Sequence, residues 1–188
     1  RDLIQEEFNV KSFLRIEAKS NTTLQKEIEV VNYLPQNSFL TILNKNKNIQ
    51  TKGNKIELKS RKKNNLNLNV EIKSGVNNYK LILENFNNKK RRLNIETIGW
   101  DILASEFINE SELKKSNCIA FNKGENIYIQ SVENSKLLKI KRRKKIIEIP
   151  FSKAINKINT DSLKKGKYIL EIINLGKNTS KFCKIKIK

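Results

Sequence analysis

Strict alternation of apolar and polar residues is the feature that most limits what this chain can become. In the stretch 65–73, Leu66, Leu68, Val70 and Ile72 fall on one parity, and Asn65, Asn67, Asn69, Glu71 and Lys73 fall on the other. The chain ends on the same pattern, with Cys183, Ile185 and Ile187 set against Lys184, Lys186 and Lys188. A period of two is what a β-strand with one buried and one wet face requires. An amphipathic helix would instead repeat its apolar positions every three to four residues. The alternation returns at 79–84, 92–98, 137–141 and 146–151.

Turn-forming residues separate these runs: Lys52-Gly53-Asn54, Ser74-Gly75, Asn87-Asn88, Lys123-Gly124 and Lys165-Gly166. Short strands punctuated in this way predict a sandwich or barrel rather than alternating βα units. In the first half the pattern predicts strands near 11–18, 25–33, 38–43, 55–59, 66–73, 78–84 and 91–98. In the second half it predicts strands near 117–121, 126–131, 136–142, 145–150, 167–174 and 180–187. Residues 101–115 break the period, because Ile102, Leu103, Phe107 and Leu113 sit at helical spacing. The expected architecture is therefore all-β: two tandem immunoglobulin-like sandwiches, residues 1–99 and 100–188, the second opening with a short helical connection. Residues 151–166 read as a longer connection that carries a helical turn, and Trp100 as a plug at the junction.

The chain has 188 residues and carries 39 Lys and Arg against 19 Asp and Glu, a net charge of +20. Both halves are basic, so the charge is not confined to a tail. Such a field attracts polyanions, namely nucleic acid, anionic lipid headgroups or acidic glycans, or an acidic protein partner, without distinguishing among them. An Asn-, Lys- and Ile-rich composition also follows from an AT-rich genome, and the two explanations stand side by side. The basic clusters are 59–63, 89–92 and 139–145. Each lies at or beside a predicted turn, where it serves either as a polyanion patch or as a solvated hairpin tip that blunts an edge. The densest candidate comprises Lys139, Lys141, Arg142, Arg143, Lys144 and Lys145. Phe13, Phe39, Tyr79, Phe121, Tyr168 and Phe182 fall in or next to alternating strands, which predicts core packing rather than base stacking.

With an apolar content of 37% arranged at regular intervals, the chain can bury a core and is not expected to be disordered. No apolar run approaches the roughly 20 residues of a membrane helix. The sequence begins at Arg1 and contains no Met, which places the initiating residue upstream. Cys118 and Cys183 both lie in strand-like segments; they are either a disulfide between the first and last strands of one sandwich or two unpaired thiols. With no His, no CxxC pair and no Gly-rich phosphate loop, no metal site, cofactor or catalytic residue is expected.

Ser162, Leu163, Gly166, Tyr168, Leu170 and Ile172 form an S-L-x-x-G-x-Y-x-L-x-I run that follows a hairpin and precedes a Lys-rich last strand. This resembles the closing strands of bacterial surface β-sandwiches, and residues 117–188 are similar to C-terminal sorting domains of type IX secretion cargo. The first half, with "EIEVVNYLP" and "GVNNYKLILEN", resembles bacterial immunoglobulin-like modules. These likenesses imply a non-enzymatic structural or binding module of a secreted or surface assembly, meeting a protein partner or itself. The charge supports a different expectation, a cytoplasmic or organellar nucleic-acid-associated protein of a ribonucleoprotein particle.

Overall fold

A computed structural model describes residues 6–115, 118–131, 136–151 and 154–188. Among these the regular structure is strand, interrupted only by three single 3-10 turns. The chain divides into two compact units, Arg1–Asp101 and Ile102–Lys188.

The first unit contains β1 (Phe8–Val10), β2 (Phe13–Lys19), β3 (Thr22–Asn32), β4 (Ser38–Ile42), β5 (Ile49–Thr51), β6 (Lys55–Leu58), β7 (Lys63–Ile72), β8 (Gly75–Asn85) and β9 (Lys90–Trp100). They form one sheet of order β1-β3-β7-β5 and a second of order β2-β9-β8-β4-β6. The inward parity of each strand supplies a single core. Leu66, Leu68, Val70 and Ile72 of β7 are at most 2% exposed, as the alternation of Asn65–Lys73 requires. Leu40, Leu81, Leu83, Leu93 and Ile95 face them from the other sheet.

Two features near the end of β9 close this unit. Gly99 leaves room for the backbone of the β7–β8 turn, since a Cβ there would lie 1.9 Å from the Lys73 carbonyl oxygen. Asp101 then accepts hydrogen bonds from Ser20 Oγ, at 2.6 Å, and from Ser74 Oγ, tying two turns to the strand end. Those hydroxyls hold the Asp101 carboxyl below its ordinary range. Trp100 pairs with Lys19 across the parallel β2–β9 contact, and its Nε1 donates to Glu17 Oε1 at 2.7 Å.

The second unit contains β10 (Phe107–Asn109), β11 (Cys118–Phe121), β12 (Asn126–Gln130), β13 (Lys136–Arg142), β14 (Lys145–Pro150), β15 (Ile155–Asn159), β16 (Gly166–Asn174) and β17 (Thr179–Ile187). A three-stranded sheet, β10-β12-β15, faces a five-stranded sheet, β11-β17-β16-β13-β14. Phe121, Ile127, Ile129, Leu138, Leu170 and Ile185 lie at the centre of the core between them.

The segment expected to be helical is not. Residues 104–106 and 110–112 each make one 3-10 turn, and β10 between them pairs in parallel with Tyr128–Gln130. Ile108, which the helical spacing passed over, is 3% exposed and enters the core, whereas Leu103 is 68% exposed. Asn109 Oδ1 accepts from the Ser111 amide and starts the second turn, a local competitor to helix propagation. The connection 151–166 likewise contains a strand, β15, whose Ile155 and Ile158 are buried at a spacing that mimics a helix. Its expected helical turn is the 3-10 turn Thr160–Ser162.

Candidate functional site: the cationic outer face of the second unit

The basic run 139–145 lies on the hairpin of β13 and β14, where Arg142 pairs with Lys145 and leaves Arg143-Lys144 as the two-residue turn. Arg143 takes a left-handed backbone, φ 53°, to close it. Alternation then divides the run by face. Leu138 and Ile140 point into the core, so Lys139 and Lys141 point out.

The structure does not leave the six predicted cations equivalent. Lys139 Nζ lies 3.1 Å from Glu148 Oε1 across the hairpin, and Lys141 pairs with Glu171 of β16. Lys141 and the more distant Lys139 hold the Glu171 carboxyl below its ordinary range against the opposing effect of burial. Arg142 turns back over the end of the sandwich, its guanidinium 5.3 Å from the centre of the Tyr168 ring. It donates to Tyr168 Oη at 3.3 Å and to the Lys164 carbonyl at 3.4 Å. Gly166 makes this possible, because a Cβ there would sit 2.8 Å from Arg142 Nη2. Arg143, Lys144 and Lys145 are exposed at the tip, with no ion-pair partner among the described residues.

Strand register adds cations that the linear sequence kept apart. Lys167 stands opposite Lys186, and Ile169 opposite Lys184 on one side and Lys141 on the other. One row across the outer face is therefore Lys186 and Lys167, and Arg143 of the hairpin turn lines the same depression as Lys167. The next is Lys184, Ile169, Lys141 and Ile146. The third holds the acids, Glu171 and Glu148, with Lys139 between them. A shallow depression of about 500 Å³ is lined by Lys141, Arg142, Arg143, Lys167 and Lys184. Lys167, Lys184 and Lys186 sit in ordinary alternating strands, and only the register between β16 and β17 makes them neighbours of the 139–145 run.

The cysteines are free thiols and stand on opposite faces of the same sheet. Cys118 is exposed and in register with outward-facing Lys184, whereas Cys183 is fully buried. The disulfide considered from sequence would require one of them to turn over. Burial, together with nearby Cys118, pushes the Cys183 thiol up to about 11.

Two further features escaped the sequence reading. Lys136 is ion-paired with Glu110, which also accepts from Ser131 Oγ at 2.7 Å. Their side chains are 5% and 13% exposed beside a cavity of about 300 Å³. Burial raises the Glu110 carboxyl, but the bonds from Lys136 and Ser131 outweigh it and hold the group below its ordinary value. In the first unit, Phe13 and Phe39, expected in the core, are exposed, and Lys55 Nζ lies 4.4 Å from the Phe39 ring centre. Phe121 and Tyr168 are buried as expected.

The other basic clusters are partly neutralised. Lys63 pairs with Glu29, Lys90 with Glu84 and Arg91 with Glu6. Among the described residues no three His, Cys, Asp or Glu side chains converge as a metal site, and no helix is long and apolar enough to cross a membrane.

No protein-family model and no curated protein matches the chain. Solved structures overlap with it as folds. A protein of unknown function from Porphyromonas gingivalis is 13% identical, covering 97% of this chain and 100% of that one, with a TM-score of 0.41. The CsuC-CsuE chaperone-tip adhesion subunit pre-assembly complex of Acinetobacter baumannii is 12% identical, covering 96% and 99%, with a TM-score of 0.42. The Pseudomonas aeruginosa CupB2 chaperone is 6% identical, covering 93% and 97%, with a TM-score of 0.39.

Proposed function

We propose that this chain is a non-enzymatic binding module of a secreted or surface-associated bacterial assembly, its two units immunoglobulin-like sandwiches that present strands to a protein partner. The observation that carries this reading is the state of β14. Among the described residues it pairs only with β13, and its inward-facing Ile147 is 42% exposed although the register partner Ile140 is 1% exposed. An open edge with apolar side chains beside it is the template that strand addition uses. The test is a photo-crosslinking residue at position 147 in the producing cells. A discrete adduct in the envelope or secreted fraction is expected, and Ile149→Lys should abolish it. Protein confined to the cytosol and free of adducts would overturn the reading.

A second reading, association with nucleic acid, draws on the exposed Phe39 beneath Lys55 and on the unpaired cations of the second unit. It requires affinity for an oligonucleotide that falls linearly with salt on a log–log scale. Absence of binding at low salt would remove it.

A further inference from the structure

We propose that the outer face of the second unit's larger sheet docks onto an anionic lipid surface. The inference goes beyond the protein-partner reading and uses a different surface, the face of the sheet rather than its edge.

The charge on this face is concentrated and unneutralised. Lys186 and Lys167 form one row, with Lys184 in the next; Arg143, which lines the same depression as Lys167 and Lys184, and Lys144 lie at the hairpin tip. None of the five is ion-paired among the described residues. The acids of the face, Glu148 and Glu171, are both occupied by Lys139 and Lys141. About four to eight clustered Lys and Arg are what stable attraction to an anionic headgroup layer takes.

Charge alone does not distinguish a membrane from a nucleic acid; the residues between the charges do. Ile169 and Ile146 share the second row with Lys184 and Lys141, and they are 41% and 54% exposed. Aliphatic side chains flanked by cations suit the boundary between headgroups and acyl chains, where apolar burial adds to electrostatic attraction. Neither stacks on a base; Tyr168 is 7% exposed and covered by Arg142, and the half-buried ring of this face, Phe182, stands opposite Glu171 in the acid row with Lys115 Nζ 5.5 Å from its centre. The exposed ring with a lysine over it, Phe39, belongs to the first unit. A sheet face of this kind lies flat on the headgroups and spans nothing.

The test is co-sedimentation of the whole chain with vesicles of phosphatidylcholine, with and without phosphatidylserine. Binding to the anionic vesicles alone is expected, weakening as salt rises from about 0.1 M to about 0.5 M. The triple variant Lys167→Glu, Lys184→Glu and Lys186→Glu should lose at least about tenfold in vesicle affinity. These residues are exposed, so an unchanged unfolding midpoint will show that the fold survives. The pair Ile146→Ser and Ile169→Ser should weaken vesicle binding several-fold and leave binding to a single-stranded oligonucleotide unchanged. No sedimentation with anionic vesicles, or undiminished sedimentation of the triple variant, overturns the proposal. Isoleucine variants that bind vesicles as the parent does would make the face a general polyanion site, and the lipid assignment falls. Since β14 keeps Ile147 and Ile149 in all these variants, the crosslink at position 147 reports separately on the edge.

Discussion

In both units the last strand of the larger sheet runs parallel to an early strand and antiparallel to its predecessor. In the first unit β9 lies between β2 and β8; in the second β17 lies between β11 and β16. The far edges differ. β6 of the first unit presses Leu58, 1% exposed, into the core, with the partly buried Ile56 packed against it. β14 of the second leaves Ile147 at 42% exposed, facing a companion sheet of three strands rather than four. Apolar surface left in water costs about 25 cal/mol per Å², so a folded chain that retains it has either a partner or a reason to tolerate the cost. The lesson is that a shared strand order does not entail shared coverage. The first unit completes its own core and the second remains open along one edge.

Some of their carboxylates differ too. In the first unit neutral donors hold the acids low: Asn87 and Asn85 on Glu7, and Ser20 and Ser74 on Asp101. In the second, Asn122 does the same for Glu125, but lysines act on Glu110 and Glu171. This contrast can be broken by mutation, and the largest effect is expected at the buried pair. Glu110→Ala should destabilise the second unit by about 3–5 kcal/mol, because Lys136 would remain buried without its counter-ion. Replacing both residues with Leu and Met should recover most of the loss. Urea unfolding followed in each variant would show it, and a cost below about 1 kcal/mol would mean that the pair is effectively hydrated.

The corresponding weak point of the first unit is steric. Gly99→Ala should cost about 3 kcal/mol, since the added carbon meets backbone rather than a flexible side chain. Gly75→Ala, at φ 77° with open space around it, should cost only about 1–2 kcal/mol for the left-handed backbone. If the two substitutions proved equal in denaturant titrations, close approach would not be what Gly99 is for.

A smaller effect is expected from pH. Glu110 has its folded pKa depressed below the ordinary 4.5, so its contribution is complete above that value and is lost as pH falls through the folded pKa. Unfolding midpoints measured from neutral pH down to acid should therefore fall in the second unit, and Glu110→Gln should flatten that dependence. An unaltered pH profile in the variant would assign the acid sensitivity elsewhere.

The smallest perturbation is chemical labelling of the thiols. One cysteine, Cys118, should react with a maleimide in the native protein, and Cys183 only after unfolding, because burial suppresses its thiolate. Two rapid labels would show that the second unit opens at β17.

Much of the strand pattern was legible because period-two alternation is local and survives in the sequence wherever one face is buried. The strands that were missed are short. β10 and β15 bury Ile108 and the pair Ile155 and Ile158 without visible alternation, β5 buries only Ile49, and β1, whose Phe8 and Val10 do alternate, is three residues long; each takes its strand character from pairing, with β12, β7 or β3. The candidate site was half legible. The run 139–145 announces its charge, but neither its neutralisation by Glu148 and Glu171 nor its extension through Lys167, Lys184 and Lys186 is written in any contiguous stretch.

By itself, the sequence determined the all-β class, the parity of the longer strands, the turn positions and the excess of positive charge. Those depend on interactions within a few residues and on composition. Only the tertiary structure decided which cations remain free, that Cys118 and Cys183 face apart, and that β14 is left as an open edge. Each of these is set by the register and order of strands distant in sequence, where shifting a pairing by one residue reverses every face.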